Sequence, residues 1–125
     1  MYVLPQEIES KYIIPAIRRD LSIRLMKEYH LPYSKIGKLL GITKAAISQY
    51  ICNKRASKIK LHPDIKVEIN KSSEKIIRGK SDVVVEITRI LKIIRKKKLH
   101  CEICGKIING KLHDCKQIIA RYEED

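Results

Sequence analysis

The apolar positions of this chain repeat at three and four residues almost everywhere, which predicts helices. Ile17, Leu21 and Leu25 draw one stripe at four-residue spacing within "PQEIESKYIIPAIRRDLSIRLMKEYH". Pro15 falls inside that stretch. Proline is tolerated in the first turn of a helix but not in its interior, so a short helix near 5–13 and a longer one near 15–29 are expected. Val83, Ile87, Ile90 and Ile94 make a second stripe, widened by Val84, Leu91 and Ile93. Ser81 or Asp82 can cap that helix, and the basic run from Arg95 to Lys98 suits its negative end. A helix so broadly apolar in a small protein asks for cover on two sides, by the rest of the chain and by a second subunit.

Residues 57–79 are less decided. Ile65, Val67 and Ile69 alternate like a strand, whereas Ile65, Ile69 and Ile76 keep helical phase. Pro63 suits a helix start and Gly79 a helix end, so a helix over 63–78 is favoured. A β-hairpin through His62, Pro63 and Asp64 is the alternative. The fold expected is all-α. A helical DNA-binding unit spans 1–57, a helical linker and dimerisation region 58–99, and a cysteine-rich metal-binding segment with its tail 100–125.

The segment "LPYSKIGKLLGITKAAISQYICNKRA", residues 31–56, carries the sharpest pattern. Ile36, Leu39 and Leu40 mark the buried face of a first short helix. Gly41 stands where the chain must turn and can take positive φ there without cost. Thr43 can cap a second helix reaching Ile51, with Ile47 and Tyr50 facing inward. Gly37 sits where two steeply crossing helices approach closely. A small residue, a turn glycine four later and an aliphatic residue six later again is the spacing of a helix-turn-helix. In that arrangement the second helix offers its N-terminal residues to the major groove. Lys44, Ala45, Ser48 and Gln49 fall opposite Ile47 and Tyr50. Gln49 can bond adenine, Ala45 can pack on a thymine methyl and Ser48 can reach a base or a phosphate. Lys44, Lys54 and Arg55 are expected on phosphates, which position without specifying. Thr43 completes the expected DNA-facing set.

On these residues the segment resembles the helix-turn-helix of the Cro/phage-repressor (XRE-like) class. With "LPQEIESKYIIPAIR" before it and a Cys-x-x-Cys segment after it, the chain is similar to a family of predicted archaeal transcriptional regulators. The resemblance is tight over 31–56 and loose over 57–98. It implies an all-α head that binds double-stranded DNA as a dimer. Pro32 and Tyr33 stand where such motifs usually carry a capping Ser and a Gln, and Gly37 stands where Ala is common.

Charge agrees with a polyanionic partner. Lys plus Arg number 27 against 14 Asp plus Glu, a net +13 in 125 residues, and the pI is near 9.7. A domain with pI above about 9 is a candidate nucleic-acid binder. Phe and Trp are absent, so Ile, Leu and Val must fill the core. No stretch approaches the ~20 apolar residues of a membrane span, and "MYVLPQEIESKY" does not read as a signal peptide. A cytoplasmic protein is expected, without a membrane partner.

Three of the four cysteines lie in "HCEICGKIINGKLHDC", residues 100–115. Cys101, Cys104 and Cys115 with His113 make a Cys3His set of the kind that holds structural zinc. The same thiolates could hold an iron–sulfur cluster, which would make the protein a redox, oxygen or iron sensor. A disulfide is disfavoured in the cytoplasm. His100, beside a basic run, reads as a surface residue. Cys52 reads as a small residue at a helix end, nearer the outward face than the core. No small-molecule substrate is identified, and no paired carboxylates, phosphate-binding glycine loop or Ser/His/Asp arrangement suggests an enzyme. A zinc-containing nucleic-acid- or polymerase-associated adaptor is the further alternative.

Overall fold

The structure, a computed structural model, describes residues 5–56, 59–97 and 99, and these form helices and connecting loops only. A short α1 (Pro5–Ile8) passes through a π-helical turn (Glu9–Ile13) into α2 (Ile14–Tyr29). Then come α3 (Tyr33–Leu40), α4 (Lys44–Ile51), α5 (Pro63–Ile77) and α6 (Val83–Lys96). The helix is the outcome at residues 63–77, and the hairpin alternative does not occur.

The division expected at Pro15 falls at residues 13 and 14, with Pro15 in the first turn of α2, but it takes the form of a π turn and not of a gap between helices. The Ile14 N–H reaches back five residues to the Glu9 carbonyl, so the preceding turn is wider than an α-turn. Proline has no N–H to donate, and its ring clashes with the carbonyl four residues back in a regular helix. A π turn placed just ahead of it re-registers the backbone, and the chain runs on helically.

Helix α2 is the axis of the molecule. It packs against α3, α4 and α5, while α5 packs against α6. Ile17, Leu21 and Leu25, the stripe legible in the sequence, have no exposed surface. One apolar cluster runs from Ile8 and Ile13 through Ile36, Leu40 and Ile47 to Ile65, Ile69, Ile90 and Ile94. It draws on helices from both sides of residue 57.

Helix α6 departs from expectation. Ile90 and Ile94 are buried, but Val84 is 70% exposed and Val85 54%. The stripe Val83, Ile87, Ile90 and Ile94 therefore packs on the core along its length, and the apolar surface left open is Val84 and Val85. The N-terminal half is also anchored by polar contacts. Glu86 is 2% exposed, and its carboxylate accepts from the hydroxyls of Ser72 and Ser81, each at 2.7 Å. Arg89 donates to Glu86 at 3.2 Å, to Glu68 at 2.7 Å and to Ser72 at 2.8 Å. Burial pushes the Glu86 carboxyl up, but the two hydroxyl bonds and the Arg89 charge outweigh it, and the group ends below the usual glutamate range. The Arg89 hydrogen bond also holds Glu68 low. At its other end α6 is tied back to the chain start. Arg95 makes a two-pronged pair with buried Glu9, at 2.7 and 2.8 Å.

Candidate nucleic-acid interface

The interface is assembled around α4, and the residues that set it are small. Gly41 ends α3 at φ +68°, a left-handed conformation that glycine enters without the Cβ penalty. Three residues later the chain is helical again. Thr43 is extended, and its hydroxyl accepts from the Ala46 N–H at 3.0 Å, supplying one of the orphan donors of the new helix. Gly37 is constrained by contact. A Cβ there would lie 2.7 Å from the Ile42 carbonyl oxygen, and the Ile42 N–H donates to the Gly37 carbonyl at 3.0 Å. The turn is folded onto Gly37, so the residue is required by the backbone of the turn. The comparison with Ala at this position therefore inverts: the glycine is demanded.

Helix α4 divides cleanly. Ile47 and Tyr50 are buried, as expected, and so is Ala46. Lys44, Ala45 and Gln49 are exposed, while Ser48 is half-buried. The first three face solvent opposite the core, with Ser48 at the margin of that face. Thr43 is exposed at the helix start, and Lys54 and Arg55 are exposed beyond its end. All seven residues picked out by sequence thus occur on or beside α4. At the start of α3, Pro32 makes no side-chain cap, but its carbonyl accepts from the Lys35 and Ile36 N–H groups.

Beyond α4 the chain is wound tightly. The Lys54 N–H donates to the Gln49 carbonyl at 2.8 Å. Asn53 and Ala56 both take positive φ, +61° and +57°. For alanine that conformation costs roughly 1–2 kcal/mol, so something must hold it. Arg19 does. Its side chain is almost fully buried in α2, and its guanidinium donates to the carbonyls of Ala56 and, at 2.5 Å, Ile59. Asp20 fixes the Arg19 Nε at 2.9 Å. The Arg55 guanidinium lies over the Tyr50 ring, 5.6 Å from its centroid, a cation–π distance. Lys54 and Arg55 are therefore carried on a segment bolted to α2 by Arg19. The sequence offered no periodic signal for Arg19, because Arg18 and Arg19 are adjacent and either could have faced out.

Cys52 stands at the end of α4 as an exposed free thiol; it fills no gap. Cys101, Cys104, His113 and Cys115 lie outside the described residues, as does His100. Among the described residues no group of three or more His, Cys, Asp or Glu side chains is placed to hold a metal ion, and no helix is long and apolar enough to cross a membrane.

Comparison of the chain with protein-family models, curated proteins and solved structures finds no match.

Proposed function

We propose that the protein is a sequence-specific, double-stranded-DNA-binding transcriptional regulator of helix-turn-helix type, with α3 as the supporting helix and α4 as the reading helix. The observation that carries the reading is the division of α4. An eight-residue helix, capped at its start by Thr43, buries Ile47 and Tyr50 and leaves Lys44, Ala45 and Gln49 in solvent. That face pairs base-reading side chains with flanking cations, in a chain of net charge +13. The helix is short enough for its N-terminal turn to enter a major groove while its rear packs on α2 and α3.

Gln49 and Ser48 read bases in this account, whereas Lys44, Lys54 and Arg55 neutralise phosphates. The two groups should separate on mutation. A Ser48→Ala, Gln49→Ala double variant is expected to lower affinity for a selected duplex by roughly 10–100-fold and leave binding to random duplexes nearly unchanged. Equal affinity of variant and parent for the selected duplex would sink the reading.

The regulator is proposed to act as a homodimer, and the exposed Val84 and Val85 on α6 support a further contact there. Cys101, Cys104, Cys115 and His113 are proposed to bind zinc in a stabilising site, on the strength of their spacing. An iron–sulfur cluster on the same thiolates would add sensing; metal and sulfide content after anaerobic purification decides between them.

A further inference from the structure

Away from α4, a groove of about 400 Å³ runs between α2 and α5. That volume falls within the range of small-ligand sites. The floor is apolar: Ile69 is 2% exposed, and Ile23, half-buried, lies across from it on α2.

The walls are charged, and their charges are unevenly spent. Asp20 at one end is engaged by Arg19 at 2.9 Å. Glu28 at the other end pairs with Arg24 along the helix at 3.4 Å. Lys27 on α2 and Lys66 on α5 also line the groove. Neither ammonium has a hydrogen-bond or ion-pair partner among the described residues. The Arg24 Nε is shielded from water and has no partner either. The same guanidinium is the one paired with Glu28. Asn70, on the α5 wall, adds an amide. Two helices thus bring cations and a further donor to one groove, over an apolar floor, while the nearby acids are already engaged.

We infer that the α2–α5 groove is a binding site for a small organic anion, a carboxylate- or phosphate-bearing molecule with an apolar body. The anionic group sits between Lys27 and Lys66, each a charge-assisted donor. The apolar body covers Ile23 and Ile69. The site is separate from the α4 face and stands whether or not α4 reads DNA. It also touches the interface indirectly, because Asp20 is the residue that fixes the Arg19 guanidinium on the segment carrying Lys54 and Arg55.

The test is calorimetric titration of the full chain with phenyl phosphate, with benzoate and with inorganic phosphate. Phenyl phosphate or benzoate should saturate at one per chain and bind more tightly than inorganic phosphate. The stronger of the two identifies the anionic group as phosphate or carboxylate. Lys27→Glu with Lys66→Glu should weaken binding at least about tenfold, the scale of losing charge-assisted bonds. Lys71→Glu with Lys75→Glu makes the same change in net charge elsewhere on α5 and should change affinity by less than about twofold. Circular dichroism checks that both variants stay helical. Absence of saturation would overturn the site. So would equal weakening by the two double variants, which signals only the overall field, or inorganic phosphate binding as tightly as the others, which removes the apolar floor from the account.

Discussion

Gly37 fixes the turn before α4 and Arg19 the segment after it. A methyl group at position 37 would meet the Ile42 carbonyl oxygen at 2.7 Å, and a backbone atom inside a hydrogen-bonded turn has little room to retreat. Alanine favours helices over glycine by about 1 kcal/mol. Overpacking costs typically 1–3 kcal/mol, and here the clash is with backbone, so the clash should win. Gly37→Ala is expected to lower stability by about 1–2 kcal/mol in urea unfolding, where propensity alone predicts a gain. Arg19 acts from α2. Arg19→Gln should cost about 2–3 kcal/mol, since two carbonyls lose a charged donor and Ala56 loses what holds its positive φ. Amide hydrogen exchange is expected to rise over residues 52–56 in that variant, with the α5–α6 pair unaffected. The sequence announced the glycine, because its spacing to Gly41 is part of the motif. It could not announce the arginine: the acceptors are backbone carbonyls 37 and 40 residues away, and backbone acceptors carry no residue signature.

At the scale of elements, the helices themselves were legible wherever apolar residues kept one phase. Residues 17, 21 and 25 of α2 and residues 36, 40 and 47 of α3 and α4 lie buried as their spacing implies. The division expected at Pro15 appeared at residues 13 and 14, but its form was not legible, because a π turn is a local change of register with no composition of its own. In α6 the reading of an apolar stripe passed over its acid. Glu86 falls three residues after Val83 and four before Ile90, inside the stripe, and that placement was the available sign of a buried carboxylate. The α5–α6 pair now turns on it. The folded-state pKa values of Glu68 and Glu86 lie below their ordinary values, so these carboxylates add stability above the unfolded pKa, near 4.5. That stability falls away as pH drops through the lowered folded values. Urea midpoints should therefore hold from pH 7 to about 5 and decline below about 4.5. Arg89→Met should lower the neutral-pH midpoint and flatten this decline, because the carboxylates lose the charge that holds them down. An unchanged acid limb in Arg89→Met would show that other groups govern it.

For the whole molecule, charge and architecture point the same way. A helical bundle with α2 at its centre carries α4 and the α2–α5 groove on different elements, in a chain of net charge +13. The architecture class was readable from periodicity, and the solvent-facing residues of α4 from motif spacing, because both depend on short-range order along the chain. The groove was not, since Lys27 and Lys66 are brought together only by the packing of two helices. The central claim is that α4 reads base sequence while flanking cations hold phosphates, and the salt dependence of duplex binding tests it most directly. Affinity for a duplex selected from a random pool should fall with salt at a log–log slope of about −5, for a dimer using Lys44, Lys54 and Arg55 in each protomer. At physiological salt it should exceed affinity for a scrambled duplex by at least about 1000-fold. Equal affinity for both duplexes, at any slope, would contradict the account.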